Sequence, residues 1–376
     1  MKYRNFTKDN LQVSQLGFGC MRLPVLDGDN TKIDEAMASK MLDRAMEAGI
    51  NYYDTAYIYH GENSESFVGD YFEKRGDRED IYLATKLPVW KMDKPEDTRR
   101  FLNEQLRRLK TDYIDFYLLH TLDAEEWEKV KDFQVIEELF RAREEGLIRY
   151  LGFSFHDDYG VFEDILSHHD WDFCQIQLNY LDVNHQAGLR GLKLAGDRGI
   201  SLVIMEPVKG GKLANPPEEV MALWEGSSRD LSPAGHALAF LWNQEEVSVV
   251  LSGMTTMDQL EDNLRVADAI SPGSLSKEDW ALYDQAKAIF DERIQIACTA
   301  CDYCQPCPQG VKIPKIFTMY NDLYIFGEDK NRDQYKKLLE EGGGADQCVA
   351  CGQCEGECPQ HLEIIQGLKD AHEALS

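Results

Sequence analysis

From residue 16 to residue 253, short apolar runs alternate with longer amphipathic stretches. The runs are LGFGC (16–20), INYYDT (50–55), IYLATK (81–86), YIDFYLLH (113–120), IRYLGFS (148–154), FCQIQLN (173–179), SLVIMEP (201–207) and VSVVLSG (247–253). Their β-branched and aromatic content reads as buried parallel strands. Between them, helical patterning is predicted over 35–48, 63–75, 96–109, 132–145 and 256–267, with Ala48-Gly49 and Glu145-Gly146 as C-caps. Eight strands with helical crossovers in this length predict a (β/α)₈ barrel. A doubly wound sheet would want G-x-G-x-x-G after the first strand, and Gly17-Phe18-Gly19 runs instead into Cys-Met-Arg. Residues 1–13 read as a hairpin ahead of the barrel, and 276–292 as an extra helix.

The pattern changes near residue 294. Eight of the ten cysteines fall between Cys298 and Cys358, which predicts a barrel over 1–293 and a separate domain over 294–376. The sequence begins without the apolar run of a signal peptide, and no stretch is long and apolar enough to span a membrane, so a soluble cytoplasmic protein is expected. In that setting clustered cysteines favour metal or redox chemistry over disulfides. Charge narrows the partners: 40 basic against 67 acidic residues give 40 − 67 = −27, which argues against nucleic acid and anionic lipid.

The apolar runs end in polar residues: Asp54, Lys86, His120, Ser154, Asn179, Glu206 and Ser252. In a parallel barrel these ends share one face, so the residues should converge. Singly, an Asp or Ser after a strand is more often the N-cap of the next helix. A lysine closing an apolar strand is harder to dismiss, because a buried ammonium needs a partner. Asp54 is the natural one.

Asp54-Thr55-Ala56-Tyr57-Ile58-Tyr59, then Asn63-Ser64-Glu65 and Gly69, resembles the aldo-keto reductase signature. Ala84-Thr85-Lys86, Leu118-Leu119-His120, Gly152-Phe153-Ser154, Gln175, and Ser252-Gly253 leading to Asp262-Asn263 extend the resemblance over roughly residues 5–290. It implies a catalytic tetrad of Asp54, Tyr59, Lys86 and His120, Tyr59 being chosen over Tyr57 by its place five residues after Asp54. It also implies an NAD(P)(H) site near Met21, Ser154, Gln175, Glu206, Gly253, Gln259, Asp262 and Asn263. The chemistry is coherent: tyrosine, with a pKa near about 10, needs a cation to act as an acid at neutral pH. Lys86 supplies the cation, Asp54 holds it, and His120 orients the carbonyl. Two departures stand out, His60 after Tyr59 and Phe155 after Ser154. The segment 252–263 also lacks lysine and arginine, so NAD is as plausible as NADP.

The tail carries Cys298-x₂-Cys301-x₂-Cys304-x₂-Cys307-Pro308 and Cys348-x₂-Cys351-x₂-Cys354-x₃-Cys358-Pro359. The second run matches the bacterial ferredoxin spacing and the first differs from it by one residue. Crosswise ligation of two [4Fe-4S] clusters is expected, with Cys298, Cys301, Cys304 and Cys358 on one and Cys348, Cys351, Cys354 and Cys307 on the other. Zinc sites would leave the third cysteine of each run unexplained. The stretch 313–341 reads as two helices broken at Gly327, which makes the tail resemble a helical two-cluster ferredoxin module.

The expected activity is reduction of a small-molecule aldehyde or ketone, or oxidation of an alcohol, accompanied by electron transfer through the clusters to a ferredoxin or flavoprotein. Hydride carries two electrons and a cluster one; a flavin usually bridges that mismatch. The sequence shows no convincing flavin motif, and a flavin bound without one is left open. Two alternatives stay open beside this reading: a cluster-driven reductase with little nicotinamide use, and a redox-sensing barrel with structural clusters.

Overall fold

The computed structural model describes residues 1–327 and 329–376. The chain divides into two compact units, 1–214 with 231–276, and 215–230 with 277–376.

The first unit is a closed eight-stranded parallel barrel. Its strands are β3 (Leu16–Gly19), β4 (Tyr52–Asp54), β5 (Tyr82–Leu87), β6 (Ile114–Leu122), β7 (Ile148–Phe155), β8 (Phe173–Gln177), β9 (Ser201–Met205) and β10 (Val247–Ser252), with β10 closing onto β3. Each falls on a predicted run. Ahead of them, β1 (Tyr3–Phe6) and β2 (Leu11–Ser14) form the expected antiparallel hairpin. Phe6 and Val13 of that hairpin pack with Tyr52, Phe116 and Phe173 inside the barrel. The Phe6 and Phe116 rings meet edge to face at 4.8 Å.

Strand alternation sets up the functional face. Tyr52, Ala84, Phe116, Leu118 and Phe173 point inward and form this core. A period of two carries the same inward phase to Asp54, Lys86, His120 and Gln175. The site residues are thus the uppermost inward layer of the barrel, at the C-terminal strand ends.

Helices appear over Glu35–Glu47, Ser64–Arg75, Asp97–Leu109 and Met257–Ala269, close to expectation. The helix predicted over 132–145 is present as Val135–Glu144, and a further helix not predicted, Ala124–Asp132, precedes it. Gln134 separates them with a left-handed φ of 52°. Gly49 and Gly146, with φ of 88° and 80°, supply the left-handed C-caps that a side chain would strain.

In the second unit, helices Ile313–Phe326 and Ile364–Leu375 pack on each other through Phe317, Leu368 and Ala371. A Cβ at Gly367 would lie 2.6 Å from Ile296 Cδ1 and 3.2 Å from the Phe317 ring, so a side chain there would make these neighbours shift. Gly327 caps the first helix in the left-handed region, at the predicted break. The unit also holds helices Glu218–Glu225 and Lys277–Glu292, whose Trp224 and Tyr283 rings lie 5.3 Å apart. Phe290 of the Lys277–Glu292 helix packs 5.7 Å from Phe326. Among the described residues no helix is long and apolar enough to cross a membrane.

Candidate active site

One cavity of about 480 Å³ opens at the C-terminal strand ends. Asp54, Tyr59, Lys86, His120, Met21, Ser154, Gln175, Glu206, Gly253, Gln259, Asp262 and Asn263 all line it. Asn179 does not, contrary to expectation. Its side chain accepts from the backbone N–H groups of Leu181 and Asp182, both at 3.0 Å, and donates to the Asp182 carboxylate. This local turn draws the side chain away.

Lys86 is buried, and its Nζ donates to Asp54 Oδ1 (2.6 Å), the Thr55 carbonyl (2.8 Å) and the Tyr59 hydroxyl (3.3 Å). Its three protons are thereby all directed. Burial works against this ammonium, but Asp54 and Tyr59 outweigh it and hold the Lys86 pKa above its usual value. Burial also raises Asp54, against the pull of Lys86. Burial likewise raises the Tyr59 phenol, Lys86 opposing, so its proton is kept at neutral pH. The His120 imidazole is pushed well below the usual histidine range by burial and by Lys86, and it is neutral. Its ring lies 5.1 Å from Trp90 and 6.2 Å from Tyr59. Tyr57 is directed elsewhere, its hydroxyl 3.3 Å from Glu104 and its ring under Arg108 at 4.0 Å.

A second layer fixes β5. Buried Glu65 accepts from Thr85 and from Gln105, each at 2.6 Å, and Gln105 also donates to the Lys86 carbonyl at 3.0 Å. Among the other residues implied by the family signature, Ser154 Oγ accepts from the Thr121 N–H at 2.7 Å. Gln175 keeps a buried Oε1 with no hydrogen-bond partner. Gln259 caps its own helix through Thr255 (2.8 Å) and Thr256, Asp262 accepts from Ser232 at 2.5 Å, and Asn263 donates to Ser252.

Two ionisable cavity residues escaped the sequence reading. His156 follows Phe155, whose side chain is buried against Phe162. Arg22 lies across Gly253, where a Cβ would come within 3.1 Å of its carbons. Arg22 thus brings a guanidinium beside 252–263 from just beyond β3. Lys209, another nearby base, is paired with Asp182 at 2.6 Å.

In the tail, the cysteines sort across the two runs. Cys298, Cys301, Cys304 and Cys358 line one pocket; Cys307, Cys348, Cys351 and Cys354 line another of about 290 Å³, whose wall Cys304 also reaches. The two runs share a backbone form. Ala300 and Asp302 have φ of 54° and 60°, and the matching Ala350 and Gly352 have 57° and 78°. Such alternation turns N–H groups toward a concave anionic centre. The Ala300 N–H already donates to Cys298 Sγ at 3.4 Å. Thiolate donors with inward N–H groups suit an iron–sulfur cluster.

Residues 15–288 match the family model of the aldo/keto reductase family, and residues 297–363 match that of a 4Fe-4S dicluster domain. The uncharacterized oxidoreductase YqkF of Bacillus subtilis is 31% identical over 299 residues, covering 72% of this chain and 92% of its own. L-galactose dehydrogenase of Arabidopsis thaliana is 26% identical over 297 residues, covering 74% of this chain and 92% of its own. Among solved structures, the holo form of aldo-keto reductase AKR11C1 from Bacillus halodurans superposes with a TM-score of 0.64 at 29% identity, covering 76% of this chain and 96% of its own. This chain belongs to the aldo/keto reductase family, as an oxidoreductase with a 4Fe-4S dicluster domain C-terminal to its barrel.

Proposed function

We propose that the barrel reduces the carbonyl of a small aldehyde or ketone with NAD(P)H, or runs the reverse oxidation, while the tail holds two crosswise-ligated [4Fe-4S] clusters that exchange single electrons with a protein partner. The observation that carries this reading is the Lys86 ammonium, held between Asp54 and the Tyr59 hydroxyl within one cavity.

A reduced nicotinamide, when bound, supplies a hydride. The residues here fit such a group, since Gln175 presents an unpaired buried oxygen to a carboxamide N–H and Arg22 offers a guanidinium to phosphate. Tyr59 then donates its phenolic proton to the carbonyl oxygen as negative charge develops there. Lys86 stabilises the phenolate left behind, and Asp54 fixes the ammonium in place. His120, being neutral, donates a hydrogen bond without competing as an acid. In the tail, a [4Fe-4S] cluster carries one electron when bound, and the thiolates of both runs would hold it.

Tyr59→Phe tests the barrel chemistry, because it keeps the ring and removes the proton. Reduction of a simple aldehyde should fall by roughly 10²–10⁴, the usual scale for general acid catalysis, while NAD(P)H affinity stays unchanged. Activity within a few-fold of wild type would remove Tyr59 from the role of acid.

A further inference from the structure

Tyr303 and Val349 are the most exposed large apolar side chains among the described residues, at 67% and 62%. Single exposed apolar residues are ordinary and need no explanation. These two come from different cysteine runs, Tyr303 just before Cys304 and Val349 just after Cys348. They nevertheless line the same cavity, the one that Cys307, Cys348, Cys351 and Cys354 share. An apolar contact is therefore displayed where cluster ligands reach the surface, and Cys351 itself is exposed.

The charged residues within and beside the two cysteine runs are acidic, the nearest bases in sequence being the exposed Lys312 and Lys315 at the start of the following helix. Residues 297–311 and 345–363 contain Asp302, Asp346, Glu355, Glu357 and Glu363 and no lysine or arginine. Asp302, Asp346 and Glu357 are exposed. Weak redox encounters rest on a small apolar contact with a charged surround that steers approach and rejects like-charged partners.

We propose that the Tyr303–Val349 face is the electron-exchange surface of the tail, and that its partner is a one-electron carrier protein with an apolar contact ringed by lysine and arginine. An acidic carrier is disfavoured by like charge. The proposal rests on the reading of the tail as a two-cluster module. A reduced cluster held by these cysteines would give up one electron and return to its oxidised level. The oxidised centre of the carrier takes that electron, and no bond or proton moves.

The test uses full-length protein prepared anaerobically and pre-reduced with dithionite, mixed rapidly with three oxidised acceptors. These are cytochrome c, whose haem edge is ringed by lysines, cytochrome b5, whose haem edge is acidic, and a small neutral quinone. Cytochrome c should be reduced at least about tenfold faster than cytochrome b5 at low salt, with a rate that falls as salt rises. The double variant Tyr303→Ser/Val349→Ser should slow cytochrome c by about tenfold and leave the quinone rate unchanged. Glu357→Lys should slow cytochrome c without touching the apolar pair. An unchanged cytochrome c rate in the double variant, or faster reduction of cytochrome b5, overturns the docking face. Iron content and electron paramagnetic resonance of the same samples separate this from failure of the cluster reading, which would show as missing iron in the wild type.

Discussion

In the barrel, Lys86 already directs its protons to Asp54, Thr55 and Tyr59, and Glu65 and Gln105 brace the strand beneath it. In the tail, Cys301 and Cys351 stand exposed on loops, and most of the remaining run cysteines are only half-buried. The first site is fixed by hydrogen bonds among the barrel's own side chains and backbone. The second is a set of partly exposed cysteines drawn from two loops. The difference follows from the type of charge involved. A buried ammonium has to be matched by protein groups or it destabilises the core, whereas thiolates are matched by metal.

The largest expected effect falls on the tail. Because the pockets group the cysteines crosswise, Cys358→Ser should abolish the cluster held by Cys298, Cys301 and Cys304 and spare the one nearer in sequence. Cys307→Ser should do the reverse. Iron content and electron paramagnetic resonance of the reduced variants read this out, and signals showing each cysteine serving its own run would refute cross-ligation. The barrel should melt unchanged in both variants.

The complementary disturbance lies at the other end of the barrel. The half-buried Arg4 guanidinium donates to the carbonyl oxygens of Trp242 and Val247, both at 2.5 Å, and of Gln244 at 2.9 Å. Burial lowers its pKa to about 10. Arg4→Met strips these acceptors of their donor and should cost the barrel about 3 kcal/mol. Calorimetry should show the barrel transition several degrees lower, with the cluster signals unaltered. A loss of cluster signal would mean that the two sites are less independent than their construction implies.

Cofactor choice is expected to shift less. NADPH should bind no more than about tenfold tighter than NADH, a difference of ~1.4 kcal/mol. Isothermal titration of both forms decides it. A hundredfold preference for NADPH that disappears in Arg22→Ala would instead assign Arg22 to the extra phosphate.

The smallest effect is on pH dependence. Tyr59 and Lys86 are both raised, so they stay protonated at neutral pH, and His120 is lowered, so it stays neutral. Carbonyl reduction should be nearly flat between about pH 6 and 8 and fall in alkali only beyond the ordinary tyrosine value near 10. A rate that halves between pH 6 and 8 would mean that a histidine titrates in the working site.

Much of the barrel and its site was legible because it is written in short-range pattern. Strand phase alone puts Asp54, Lys86, His120 and Gln175 on one inward layer, and cysteine spacing marks the tail. What escaped depends on contacts across the closed barrel or on local competition. Arg22 reaches Gly253 only because β10 pairs with β3, which a scan of 252–263 could not reveal. Asn179 looks like its neighbours at strand ends, yet hydrogen bonds two and three residues on capture it. The break at Gln134 carries neither glycine nor proline to announce it. Residues 215–230 join the second unit through packing such as Trp224 on Tyr283, across a gap in sequence that no periodicity spans.

The most direct test of a nicotinamide-using barrel joined to a two-cluster tail is a single anaerobic preparation, assayed for metal and then titrated with NADH and NADPH. About eight irons per chain, from two clusters of four, and saturable binding of at least one nicotinamide are expected. Zinc in place of iron, or failure to bind either nicotinamide, would contradict it.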